Sequence, residues 1–283
     1  MDCRWTALIN VLPHWMRGCF SQYQYSNLQE VRLRLGQPAL LVLKDKRAQL
    51  QKTICKDDLD FCINAASRYS PWASQTVSNG FITIQGGHRI GICGTVTVHE
   101  GNILGIKDVS SLCIRVARQI PGIGIKAAGL QGNILILGRP GSGKSTLLRD
   151  IVRCKSNAGS SICVVDERQE LFPCINGTSC FDCGSNTDVL SGCPKSNGIE
   201  IAIRVMSPDI IAVDEITAQN DCEALKNAGW CGINLLATAH ASGKNDFIER
   251  PIYRPILESK LFQTLIILQE DKSWRTERIT YGI

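Results

Sequence analysis

Five short apolar runs punctuate the second half of the chain, at residues 134–137, 162–165, 210–213, 235–238 and 265–268, with segments of helical rhythm between them. Unbroken apolar runs of this length belong to strands buried on both faces. Their alternation with helices predicts a mostly parallel sheet covered on both sides, with any phosphate chemistry at the carboxyl ends of its strands. The first half has a different rhythm. Trp5, Leu8, Ile9 and Leu12 fall at helical spacing until Pro13 stops the pattern, and this stripe is expected to pack against its own domain. Val31, Leu33 and Leu35 then alternate with Arg32 and Arg34, a strand with one apolar and one basic face. A helical stretch follows around Leu59 to Tyr69, and residues 78–98 alternate again about a Gly86-Gly87 turn. The pattern predicts an N-terminal α+β domain with an antiparallel sheet over residues 1–120 and an α/β domain over 121–283. Pro121, Gly122 and Gly124 mark the linker between them.

Composition changes this picture little. With 283 residues, 44% of them hydrophobic and 20% charged, a real core is expected. A formal charge of +5 permits contact with acidic surfaces without marking a nucleic-acid binder. No apolar run approaches the ~20 residues that cross a bilayer, so any membrane association is expected to be peripheral. The 14 cysteines are scattered singly, as at Cys62, Cys93, Cys113 and Cys163, which fits reduced, mostly buried thiols in a cytoplasmic protein.

Candidate chemistry starts directly after the first apolar run. Gly138, Gly143, Lys144 and Ser145 occupy the fixed positions of the phosphate-loop pattern GxxxxGK[ST], with Arg139, Pro140, Gly141 and Ser142 between them and Thr146 next. Glycines let backbone N–H groups curl around phosphate oxygens at a helix N-terminus, the lysine reaches the terminal phosphates, and the serine hydroxyl can ligate Mg²⁺. A nucleoside triphosphate is the expected ligand. Asp214 and Glu215 close a later apolar run: Asp214 is placed to hold Mg²⁺, and Glu215 to polarise a water for attack on the γ-phosphate. That second carboxylate favours hydrolysis over transfer to a substrate hydroxyl. Asp166, Glu167 and Arg168 end another run, where they either serve the site or a neighbouring subunit, or form a surface charge cluster. Thr238 and His240 close a fourth, where they are expected to face the γ-phosphate. Arg204, Arg115 and Arg118 are candidate cations for the transferring phosphate. Cys180 and Cys183 have a zinc-ligand step, but Cys174 and Cys193 stand at spacings of five and nine residues that match no common finger, so thiols are expected.

Several phrases together resemble the stage III sporulation protein AA family, mother-cell ATPases of endospore-forming bacteria that are themselves similar to the ATPases of type II and type IV secretion. They are EVRLRLGQP, SNGFITIQGGHRIGICG, SLCIRVAR, GRPGSGKSTLLRD, VVDERQE, TDVLSGCPKSNG, IRVMSPDIIAVDEI and ATAHAS, spread over nearly the whole chain. The resemblance implies a RecA-like, AAA+-type P-loop NTPase domain that binds ATP and Mg²⁺ and assembles as a homo-hexamer. It implies Glu167 as an active-site acid in an acidic box, His240 in a histidine box near the γ-phosphate, and Arg204 as the arginine before the Asp214 strand. The implied partners are membrane proteins of the sporulation channel between mother cell and forespore, with the ATPase on the cytoplasmic face. Thr217 stands where glycine is expected, and Ser145 where threonine is. Two other functions remain open from the residues: a nucleic-acid remodelling ATPase, for which Arg32, Arg34 and Arg89 supply a basic face but no base-stacking aromatics, and a nucleotide-gated scaffold with little turnover.

Overall fold

The computed structural model describes residues 3–67, 80–100 and 102–279. The expected end of the helical stretch at Tyr69 and the start of the paired strands at Ser78 lie outside these residues. The chain divides into two compact units, Met1–Arg118 with Cys174–Phe181, and Gln119–Pro173 with Asp182–Ile283.

In the first unit, α1 (Cys3–Asn10) and α2 (His14–Cys19) precede β1 (Leu28–Arg34), β2 (Pro38–Leu43) and β3 (Arg47–Thr53). Then come α3 (Lys56–Ser67), β4 (Phe81–Thr83), β5 (Arg89–His99) and β6 (Asn102–Arg115). The six strands form one antiparallel sheet in the order β3-β2-β1-β6-β5-β4. Leu8 and Leu12 of the helical stripe are fully buried with Val31 and Leu33 of β1, and Trp5 and Ile9 pack against the same core. Leu35, expected on the apolar face of that strand, instead lies beyond β1 and is 47% exposed. Its strand ends at Arg34, and beyond it the Leu35 N–H donates to the Ser110 carbonyl and an isolated bridge joins Leu35 to Ile54.

Gly86 and Gly87 turn the chain between β4 and β5 with φ of 85° and 80°, a region glycine enters without steric cost. A Cβ on Gly87 would also come within 2.9 Å of the Phe181 ring. His88, fully buried behind the turn, accepts the Ala117 N–H at Nδ1 (3.1 Å), so its Nε2–H donates to the Arg4 carbonyl (2.8 Å). The histidine of the GGHRIG phrase is therefore a structural tie.

The second unit runs α4 (Ile125–Ala128), β7 (Ile134–Gly138), α5 (Lys144–Asn157) and β8 (Ile162–Asp166). The two-residue strands β9 (Cys174–Ile175) and β10 (Thr178–Ser179) pair as a small hairpin within the segment that groups with the first unit. There the Cys180 sulfur accepts the Gly86 and Gly87 N–H groups, while burial pushes its thiol pKa up. The unit continues with β11 (Thr187–Ser191), α6 (Lys195–Ile201), β12 (Ile210–Val213), α7 (Gln219–Trp230), β13 (Asn234–His240), α8 (Lys244–Glu249), α9 (Arg254–Glu258), β14 (Thr264–Leu268) and β15 (Trp274–Arg278). The seven strands lie in the order β11-β8-β12-β13-β7-β14-β15, parallel except for β15. The residues of β7, β8 and β12 are all buried, as runs covered on both faces must be.

Candidate functional site

Parallel register gathers the chemistry. In β13, Ala237 pairs with Val213 of β12 and His240 pairs with Gly138 of β7, so one strand joins the Asp214 strand end to the phosphate loop. The loop from Gly138 to Thr146 needs its glycines for geometric reasons. A Cβ on Gly138 would lie 2.5 Å from Ser142 Oγ and 3.2 Å from Leu268 Cβ, while Gly141 and Gly143 take φ of 76° and 103°. Nothing lies within 4 Å of where a Cβ would stand on either of those two, so the cradle is open. The N–H groups of Gly143, Lys144, Ser145 and Thr146 make no hydrogen bond among the described residues, as at any helix start. Ser142 Oγ is buried and without a partner there. Unsatisfied donors around an open concavity are what a phosphate chain fits.

Lys144 is buried, and its ammonium donates to the carbonyls of Gly138 (2.9 Å) and Arg139 (3.0 Å) and to His240 Nδ1 (3.0 Å). An ammonium offers only donors, so His240 Nδ1 carries the lone pair and Nε2 the hydrogen. His240 Nε2 lies 3.0 Å from Glu215 Oε1, and Glu215 Oε2 accepts from Arg168 Nη1 at 3.1 Å. Hydrogen bonds join Lys144 to His240 and Arg168 to Glu215, and the His240–Glu215 contact brings the two pairs together. Burial depresses the Lys144 pKa, and the charges of Asp214 and Glu215 offset part of that shift.

Asp214 and Glu215 are set by Thr238. Its hydroxyl donates to Asp214 Oδ1 (2.6 Å) and accepts the Glu215 N–H (2.8 Å), and its carbonyl accepts the Ile216 N–H (2.9 Å). Glu215 has φ of 51°, unfavourable for a side chain of its size, and these bonds hold it there. Thr238 is fully buried and committed to the two acids, whereas its place at a strand tip suggested a residue facing phosphate. Thr238→Val keeps the shape and strands the Asp214 acceptor and the Glu215 N–H, so it should lower stability by about 1–3 kcal/mol in urea titrations. Thr238→Ser should restore most of the loss. A valine variant as stable as the original would remove this role.

The VVDERQE turn is built on Asp166, whose buried carboxylate accepts the N–H groups of Glu170 (2.8 Å), Leu171 (3.0 Å) and Phe172 (2.8 Å). Burial pushes its pKa up to about 6, against those hydrogen bonds. The turn sends Arg168 to Glu215 and Glu167 to the almost fully buried Lys195. Lys195 also lies 3.6 Å from Asp221 Oδ2, which accepts the Thr217 and Ala218 N–H groups. Glu167 therefore has its own cation apart from Lys144. Lys195 and the Arg168–Glu215 pair escaped sequence reading; the one available signal was a lysine opening a helix directly after Cys193-Pro194.

The arginines divide. Arg204 stands in a π-helical turn, Ala202–Met206, with its side chain 77% exposed and, among the described residues, paired to Glu200 at 3.7 Å. In the first unit Arg118 donates to the Tyr25 and Leu28 carbonyls, and Arg115 lies 3.9 Å from Glu30. Cys174 and Cys180 belong to the first unit, Cys183 and Cys193 to the second. Among the described residues no helix is long and apolar enough to cross a membrane.

Comparison with known proteins places this architecture. The chain is similar over 96% of its length, and 82% of the other's, to the Legionella pneumophila ATPase DotB, with TM-score 0.61 at 17% identity. It is similar over 91% of its length, and 80% of the other's, to the pilus retraction motor PilT solved with bound ADP, with TM-score 0.58 at 12% identity. These likenesses establish the fold: a P-loop secretion-ATPase fold with an N-terminal α+β unit and a mostly parallel sheet. In sequence, the chain is 32% identical over 281 residues to stage III sporulation protein AA of Bacillus subtilis (strain 168), covering 94% of this chain and 91% of that protein. It is also 26% identical over 271 residues to the uncharacterized protein ycf45 of Porphyra purpurea, covering 91% of this chain and 44% of that one. The family model described as sporulation stage III, protein AA matches residues 6–281, and the chain belongs to that family.

Proposed function

We propose that the protein binds ATP with Mg²⁺ and hydrolyses it, and so energises or assembles a sporulation-associated secretion channel between mother cell and forespore. The observation that carries the reading is the Lys144–His240 hydrogen bond with Glu215 3.0 Å from the imidazole, at the mouth of an open phosphate cradle. Residues Gly138, Arg139, Pro140, Gly141, Ser142, Gly143, Lys144, Ser145 and Thr146 form that cradle. The unsatisfied N–H groups of Gly143, Lys144, Ser145 and Thr146 and the Lys144 ammonium meet the triphosphate charge. Ser145 and Asp214 are the residues that would hold Mg²⁺; Thr238 fixes one Asp214 oxygen and leaves the other for it. When bound, the metal neutralises charge on the phosphates.

Glu215 acts as the base that orients the attacking water and accepts its proton. Arg168 and His240 hold the two Glu215 oxygens, and arriving phosphate oxygens draw Lys144 away from His240. His240 Nδ1, released as an acceptor, then takes up a proton from solvent and, as an imidazolium, donates a hydrogen bond toward the γ-phosphate. Glu167 supports the site through Lys195. Arg204, exposed and paired to Glu200 among the described residues, serves the nucleotide of a neighbouring copy in a homo-hexamer. The protein works in the mother-cell cytoplasm, docked on membrane proteins of the channel.

Purified full-length protein should release phosphate from ATP steadily, and light scattering with ATP should report a mass near that of six chains. Absence of turnover, with or without a membrane fraction from sporulating cells, would overturn hydrolysis and leave a scaffold. Stimulation by single-stranded nucleic acid that fades with salt would instead favour a remodelling enzyme.

A further inference from the structure

Within the second unit a cavity of about 650 Å³ opens beside the phosphate loop. One end is the loop itself, at Ser142, Gly143 and Thr146; the other is apolar, formed by Ile120, Ile123, Leu268 and Trp274. Its size falls in the ~300–1,000 Å³ range of small-molecule sites.

The wall that carries Ile120 and Ile123 is not the free linker its Pro and Gly residues suggest. Asp150 of α5, 1% exposed, accepts the N–H groups of Gly122 (2.8 Å) and Gly124 (2.7 Å) through one carboxylate oxygen. Arg153 holds the other oxygen at 2.8 Å. A Cβ on Gly124 would lie 2.6 Å from the Ile151 nitrogen, so this backbone sits directly on the helix that follows the phosphate loop. The segment is clamped, yet it leaves Ile120 48% and Ile123 38% exposed. Trp274 enters from β15, opposite Leu268 in the β14–β15 register.

We infer that this cavity takes the base and sugar of the nucleotide, held by apolar contact and stacking on Trp274 with little reading of the base edge. The inference rests on the proposal that the loop binds a nucleoside triphosphate, and adds how the nucleoside is recognised. The occupant follows from continuity: Ser142, Gly143 and Thr146 line both the cavity and the phosphate cradle, so whatever is attached to bound phosphates extends into it. Planar bases stack on aromatic side chains whatever their edge pattern. The charged side chains at the cavity are Lys126 and Lys272, which only donate hydrogen bonds. No carboxylate or amide side chain lines it among the described residues to accept from the exocyclic amine of adenine. The chemical class is therefore a nucleoside triphosphate bound by the face of its base, without strong side-chain selection between ATP and GTP.

Equilibrium dialysis of the full chain with ATP, GTP and inorganic tripolyphosphate tests this. The original protein should bind ATP and GTP within about tenfold of each other, and tripolyphosphate more weakly. Trp274→Ala should weaken both nucleotides by roughly tenfold or more and leave tripolyphosphate unchanged, while Trp274→Phe keeps most of the affinity. Ile123→Ser, on the opposite wall, should act in the same direction and decides the matter if the Trp274→Ala protein does not fold. Unchanged ATP affinity in folded variants, or a preference for ATP over GTP beyond about a hundredfold, overturns the inference while the phosphate-loop reading stands. Failure of both ATP and tripolyphosphate to bind overturns that reading itself.

Discussion

Lys144→Ala should abolish measurable ATP turnover and weaken ATP binding, with the protein still folded. The lysine is the only ammonium in the cradle, and it is already desolvated, so its charge acts on a phosphate oxygen with little screening. Removal of one well-placed cationic or N–H donor from a developing oxyanion lowers kcat by about 10²–10³. Losing a full charge at the terminal phosphates places the effect at or above the upper end of that range. The fold should tolerate the change better than most losses of a buried charge. Two of the three Lys144 partners are carbonyls of its own loop, and the third, His240, keeps its contact with Glu215. Phosphate release, ATP binding by calorimetry and a thermal melt separate these effects. Turnover within threefold of the original would remove Lys144 from the chemistry, and a collapsed melt would make it a structural residue.

How much of this was legible in the sequence depends on how strongly each element announces itself. The strands β7, β8, β12, β13 and β14 were readable because burial on both faces demands unbroken apolar runs. The strands β11, with its half-exposed TDVLS, and β15, with its charged WRTER, were not. Both lie at the sheet edges, where polar and charged side chains blunt pairing with other chains and erase the apolar signal. Strand order was equally hidden: β13 follows β12 in the chain but inserts between β12 and β7, and no local pattern encodes that crossover.

The site divides the same way. Lys144, Asp214, Glu215 and His240 were readable as strand ends and a loop pattern, yet their bonding was not. Thr238 looked like a phosphate-facing residue because strand tips face the ligand, but it lies two residues inside the end of β13, fully buried, where its hydroxyl meets Asp214. Glu167 stood beside a strand end like Glu215, but the residues alone left a site role and a surface charge cluster equally open. The turn built on Asp166 separated them, sending one carboxylate to buried Lys195 and leaving the other to its arginine. The Pro and Gly residues after Ile120 read as a linker, but nothing local showed the clamp that holds them, a carboxylate farther along the chain at Asp150.

Glu215→Gln should leave ATP bound and unhydrolysed, turnover falling by about 10²–10⁴, the usual worth of a positioned general base. The substitution preserves volume but not hydrogen-bond sense. Glu215 has His240 Nε2 3.0 Å from one oxygen and accepts from Arg168 on the other. A glutamine offers one acceptor and one donor, so its amide must set an N–H against either His240 or Arg168. Part of the effect could then arise from displaced neighbours rather than from the lost base. Arg168→Ala separates the two causes. It removes the partner on Oε2 while leaving the carboxylate, so turnover should fall far less than in Glu215→Gln, and Arg168→Lys should recover part of the loss. If alanine at 168 is as damaging as glutamine at 215, the carboxylate matters only as a partner for arginine. If instead Glu215→Gln turns over at the original rate, the water is activated elsewhere, and Glu167, released from Lys195 by nucleotide, becomes the acid to test.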